Sequence, residues 1–199
     1  MFSMRFMHWL RNRLTAVVVA VVFVLSVAYP AVVYFTRERI GPLAFIGLAE
    51  LLLLLRLLTL PATQARDWRP ALLGALLLLP LLAVLDAGLA SRFYPVLLSL
   101  VFATVFTLSL WRPPSLIERL ARLRHGDLPP EGQVYCRRLT IVWATWLFAN
   151  AVIAAALALA GADDYWALWT GLVSYIVMGA LFAGDYLLRQ TIYRFFGRA

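Results

Sequence analysis

The chain has 199 residues, 63% of them hydrophobic, with a mean hydropathy of +0.84. A soluble domain of this length cannot hide that much apolar surface, so the composition points to a polytopic membrane protein. The formal charge of +8 comes from eighteen basic residues, all Arg, placed at the ends of apolar segments. There they set topology and meet anionic headgroups, so the charge does not call for nucleic acid.

In chain order, Arg5, Arg11 and Arg13 precede a first apolar run, 15–35. It is longer than a signal-peptide core and lacks a clear small-x-small cleavage site, so a retained helix is expected. Five further stretches meet or approach the ~20 apolar residues a spanning helix needs. They are 41–60, 71–87, 94–111, 139–160 and 166–187. The third and fourth are short and separated only by 88–93, which suggests a tight helical hairpin. With the N-terminus cytoplasmic, the inner segments hold fourteen of the eighteen Arg residues. The outer loops hold Arg37, Arg39 and Arg92, and Arg56 lies inside the second segment. This asymmetry predicts an all-α protein of six spans with both termini inside.

The long polar interval between the fourth and fifth segments carries Arg112, Arg119, Arg122, Arg124, Arg137 and Arg138. Ser115 and Glu118 form an S-x-x-E capping box directly after Pro113-Pro114. Leu116, Leu120 and Leu123 recur at helical spacing, and Glu118 pairs with Arg122 at i+4. Gly126 suits the helix end. A short amphipathic helix, 116–124, follows. It lies flat on the inner leaflet with its Arg side toward phosphates, or it packs on the inner end of the bundle. Pro129-Pro130 then opens the fifth segment's helix about two turns before the membrane.

Ionisable residues inside a membrane are functional candidates by default. Arg56 lies five residues before Pro61 and is expected to snorkel to the inner surface. Asp86 and Asp185 fall near segment ends, Asp185 four residues before a partner, Arg189. Glu50 is nine residues into its segment, roughly 14 Å deep. Asn150, Ser174 and Tyr175 fall at similar depth, and Trp143 and Trp146 lie one or two turns below Asn150. Glu50, Asn150, Ser174 and Tyr175 therefore define a candidate midplane cluster. The plainer reading of Glu50 is a protonated carboxyl bonded to one neighbouring helix.

Small residues recur at Gly179, Ala180, Ala183 and Gly184, and at Ala151, Ala154, Ala155 and Ala158. They suit packing of the last two segments, or a homodimer through them. Catalytic signatures are lacking. His8 and His125 have no metal-ligand spacing, Cys136 is the lone cysteine, and Asp163-Asp164 reads as a solvated turn. No cofactor or metal site is expected.

The second half of the chain resembles a group of uncharacterised bacterial inner-membrane proteins. These are encoded with aryl polyene and xanthomonadin-type, fatty-acid-synthase-like biosynthetic enzymes. The similarity rests on Pro113-Pro114-Ser-Leu-Ile-Glu118-Arg-Leu-Ala-Arg122, Leu128-Pro-Pro-Glu131 and Arg137-Arg138-Leu-Thr-Ile-Val-Trp143. Phe148-Ala-Asn150 and Leu181-Phe-Ala-Gly-Asp185-Tyr-Leu-Leu-Arg189 extend it. The resemblance implies polyene or fatty-acyl lipid assembly at the inner membrane, and it carries over no catalytic residue. In that setting, an accessory or scaffold protein would use Arg119, Arg122, Arg124, Arg137 and Arg138 to meet headgroups or dock an acidic acyl carrier protein. A carrier or flippase for a lipid-like product would use the midplane cluster. An intramembrane acyl-lipid enzyme is the third expectation, with no nucleophile or metal set behind it.

Overall fold

Hydrocarbon offers no partner to backbone N–H and C=O groups, so long apolar runs must satisfy them internally as helices. The computed structural model describes the backbone of residues 2–196 and the side chains of residues 13–124 and 126–188. Among the described residues it is helical, with no strand. The helices are α1 (Phe2–Thr36), α2 (Pro42–Leu58), α3 (Ala65–Leu85), α4 (Ala87–Trp111), α5 (Leu116–His125) and α6 (Pro130–Leu159). They are followed by α7 (Asp163–Leu168), a π-helical turn (Trp169–Val173) and α8 (Ser174–Phe196). Five spans are long and apolar enough to cross a membrane: Arg13–Thr36, Ala65–Leu85, Ala87–Trp111, Pro130–Leu159 and Asp163–Leu188. The expected second span, 41–60, is α2, whose 17 residues fall just short of the ~20 required.

The expected loop 88–93 does not exist. Only Asp86 interrupts the helices, with extended backbone, and its carboxylate accepts the Leu89 N–H at 2.9 Å. That N-cap starts α4 seven residues before the apolar run does. Likewise, α3 begins at Ala65 because Asp67 suits a helix's first turn. Polar residues at helix ends hid both boundaries.

Helix α4 is the hub, packed on α6, α3, α2 and α1. Tyr29, Leu52, Leu53, Leu79 and Tyr94 are buried around it. The small residues behave differently from the expectation that they join the last two segments. Ala151 and Ala154 are buried in a cluster with Val96 of α4, whereas Gly179, Ala180 and Ala183 on α8 are exposed. Helix α8 reaches α6 through bulky side chains instead. The rings of Trp143 and Phe182 lie 4.6 Å apart, and Tyr135 donates to Asp185 at 2.6 Å. The side chain of Arg189, the expected partner of Asp185, lies outside the described residues, as do those of His8 and His125.

Ion pairs tie both ends of the bundle. At the far end, Asp163 accepts from Arg37 and, at 2.5 Å, from Arg92, while Asp164 accepts from Tyr34 at 2.8 Å. The expected solvated turn is therefore a clasp joining α1, α4 and α7. At the other end, Glu118 closes on the Ser115 N–H at 3.3 Å and pairs with Arg122 at 2.8 Å. Helix α5 is docked on the bundle. Arg119 donates to Asp67 at 2.6 Å and to the carbonyls of Pro114 and Arg112. Ser109 Oγ accepts the Leu116 N–H at 3.0 Å. Helix α6 starts at Pro130, as its Pro-Pro punctuation indicates.

Candidate functional site

The gap left between α8 and the rest of the bundle is a cavity of about 650 Å³. On α8 and the π-helical turn its lining runs from Thr170 to Asp185, fifteen residues or roughly 22 Å at 1.5 Å per residue. A half-bilayer's hydrocarbon is ~15 Å deep, so one lipid chain fits lengthwise. The wall is graded. Ser26, Ser99, Asn150 and Tyr175 gather in its far half, while Phe106, Leu139, Trp143 and Phe182 line the half toward α5. Ile117, Leu120, Ala121 and Arg124 of α5 form its floor. Phe23 on α1 and Phe182 on α8 are each 63% exposed and also line it, so the cavity opens sideways between these helices.

The polar end is built from several elements. Asn150 donates to Ser99 Oγ at 3.0 Å and accepts from the Trp169 indole at 2.9 Å, linking α6 to α4 and to the π-helical turn. In that turn Thr170 donates to the Trp166 carbonyl at 2.7 Å. The wider turn brings both Thr170 and Ser174 into the lining, a known use of π-bulges. Ser26 donates to the Val22 carbonyl at 2.6 Å. A hydroxyl has one proton, so Tyr94, 2.7 Å from Ser26, must be the donor in that pair. Arg56 donates to the same Ser26 oxygen at 3.0 Å.

This placement corrects the expected snorkelling of Arg56 to the inner surface. Ser26 lies ten residues from the far end of α1, about 15 Å deep, which is mid-span in a ~30 Å core. The guanidinium turns toward mid-span because hydroxyls and an open cavity wait there. It lies 5.9 Å from the Phe102 ring centre, and its Nε is buried without a hydrogen-bond partner. All ten Asp and Glu residues lie in the part whose side chains are described, and none pairs with Arg56. Insertion scales put an Arg at mid-membrane at roughly +2.5 to +3.5 kcal/mol.

Of the candidate cluster, Asn150, Ser174 and Tyr175 line the cavity together, with Trp143 below them. Glu50 does not line it. One of its oxygens is buried without a hydrogen-bond partner, on the flank of α2 beside the core residues Ile46 and Leu53. Among the Arg candidates, Arg119 and Arg122 are engaged within the chain, by Asp67 and by Glu118 and Asp127. Arg124, Arg137 and Arg138 are exposed. Sequence reasoning passed over Ser26, Tyr94 and Asp67. The usable signal was Arg56 itself, the one Arg inside an apolar segment. No three His, Cys, Asp or Glu side chains converge as metal ligands among the described residues.

No family model, curated protein or solved structure matches the chain. What is established is the class: among the described residues the chain is all-helical with five apolar helices long enough to span a membrane, consistent with a multi-pass membrane protein.

Proposed function

We propose that this protein holds one apolar chain of a lipid-like molecule in its cavity, as a small carrier in a polyene or fatty-acyl lipid system of the bacterial inner membrane. Six crossings are counted here, α2 included, with both termini and α5 on the cytoplasmic side, as the Arg distribution favours. The supporting observation is the cavity: about 650 Å³, apolar along most of its wall, with polar groups toward both ends and open sideways between α1 and α8. A concave apolar site with few polar groups is the usual form of a ligand pocket. The resemblance of residues 112–189 to proteins of polyene gene clusters agrees with such cargo.

A bimane label at Met178→Cys, inside the cavity, tests the reading. A brominated fatty acid should quench it saturably. A label at Phe148→Cys, on an exposed face, should respond only in proportion to bulk lipid. Non-saturating quenching at both positions contradicts the proposal.

A second reading, docking of an acidic acyl carrier protein, is favoured by exposed Arg124, Arg137 and Arg138 near Leu123, which is 85% exposed. Charge complementarity would steer such a partner. Arg124→Glu with Arg138→Glu should abolish capture of purified acyl carrier protein. Undiminished capture contradicts docking there.

A further inference from the structure

Two ionisable side chains inside the apolar part of the bundle have buried polar atoms without partners, Glu50 and Arg56. They differ in what they can do about it. A carboxyl in hydrocarbon can take a proton and become neutral. A guanidinium cannot lose its charge. Glu50 therefore needs no ligand, and Arg56 has no carboxylate partner among the described residues.

Among the described residues, the groups seen to bond or stack with Arg56 are a hydroxyl and a ring. Ser26 has its proton on the Val22 carbonyl and receives Arg56 and Tyr94. Phe102 offers a ring face. Both are weak substitutes for an anion beside a fork of five N–H donors, which matches the two oxygens of a carboxylate or phosphate. The cation also faces the main cavity and a second one, of about 210 Å³, which runs toward Thr59 and Gln64. An anion bound to it is therefore reachable from the apolar groove.

We propose that Arg56 is the seat for the oxyanion head of a single-chain amphiphile, whose tail lies toward α5. This rests on the cavity reading above and names its ligand class. Both ends of the wall carry charge, but at the α5 end Asp185 already accepts from Tyr135 and Arg124 is exposed, so the orientation follows from Arg56 being the buried cation. The hydroxyls and Asn150 surround the level of Arg56, whereas Phe106, Trp143 and Phe182 line the path to α5. The head thus sits at mid-span with the tail nearer the cytoplasmic end, inverted relative to an inner-leaflet lipid. A molecule led head-first from the cytoplasmic side would be held this way.

The test is competitive binding to the full chain in detergent, with hexadecanoate, hexadecyl phosphate and neutral hexadecanol. The acids should bind roughly 10- to 100-fold more tightly than the alcohol, the range of a charge-assisted pair. Whichever acid binds tighter identifies the head as carboxylate or phosphate. Arg56→Gln should erase the acid preference while the alcohol keeps its affinity, and Arg56→Lys should retain part of it. Saturable binding of all three without acid preference overturns the seat and leaves the cavity reading standing. No saturable binding of any overturns the cavity reading itself. An ω-diazirine hexadecanoate on the unmodified chain should label α5 or Trp143. Labelling confined to Ser99, Asn150 or Tyr175 overturns the orientation.

Discussion

Asp67→Ala is expected to destabilise the bundle by about 3 kcal/mol, the low end for breaking a buried ion pair by removing one partner. Asp67 is 7% exposed, and its carboxylate receives Arg119 at 2.6 Å, with Arg112 at 3.8 Å. Arg119 is partly exposed, so solvent screens some of the loss and the low end applies. Removing Asp67 leaves the Arg119 fork with only the Pro114 and Arg112 carbonyls. Both belong to the same loop as α5, so they no longer bind it to α3. The expected consequence is local. Helix α5 loosens on its α3 side, still held to α4 by Ser109 and packed on α6, while the far-end clasp of Arg37, Arg92 and Asp163 persists. A spin-label distance from Leu120→Cys to Ala71→Cys should broaden and lengthen, together with a lower melting temperature. Arg119→Met in the same background should add little, because the two changes remove one interaction. Additive losses would mean that the pair does not couple α5 to the bundle.

How much of this was legible in the sequence depended on whether the signal was local. Helix α5 was readable because Pro113-Pro114, Ser115, Glu118 and Gly126 punctuate it within one stretch. The start of α6 at Pro130 was readable for the same reason. The starts of α3 and α4 were not. Their first two turns carry Arg66, Asp67, Ser91 and Arg92, which read as loop until Arg119 is seen to pair with Asp67 and Asp163 with Arg92.

Depth arithmetic located the candidate residues along the membrane normal but said nothing of which way each faced. It put Glu50 level with Asn150, and the structure turns the two toward different surroundings. It placed the Arg56 backbone near the inner end of α2, while the guanidinium extends back to Ser26. Long side chains make the charge's position a tertiary property. The small-residue pattern was real on α6, yet its partner was α4, since period alone does not name the neighbour.

The proposed occupancy of the cavity above α5 by an apolar chain can be tested on that helix itself. Ala121 lines the cavity floor, and Leu123, two residues on, faces outward at 85% exposure. Ala121→Trp places an indole in the space the chain would fill, and Leu123→Trp places the same group on the opposite side of the same helix. Both keep Arg119, Asp67 and the Glu118 cap intact, so α5 stays docked in each. Measured by native mass spectrometry with added hexadecanoate, Ala121→Trp should lose at least about tenfold in affinity, of the order expected when an overpacked site must be forced open. Leu123→Trp should bind as the unmodified chain does. Equal retention of the adduct by both variants would contradict occupancy of the cavity.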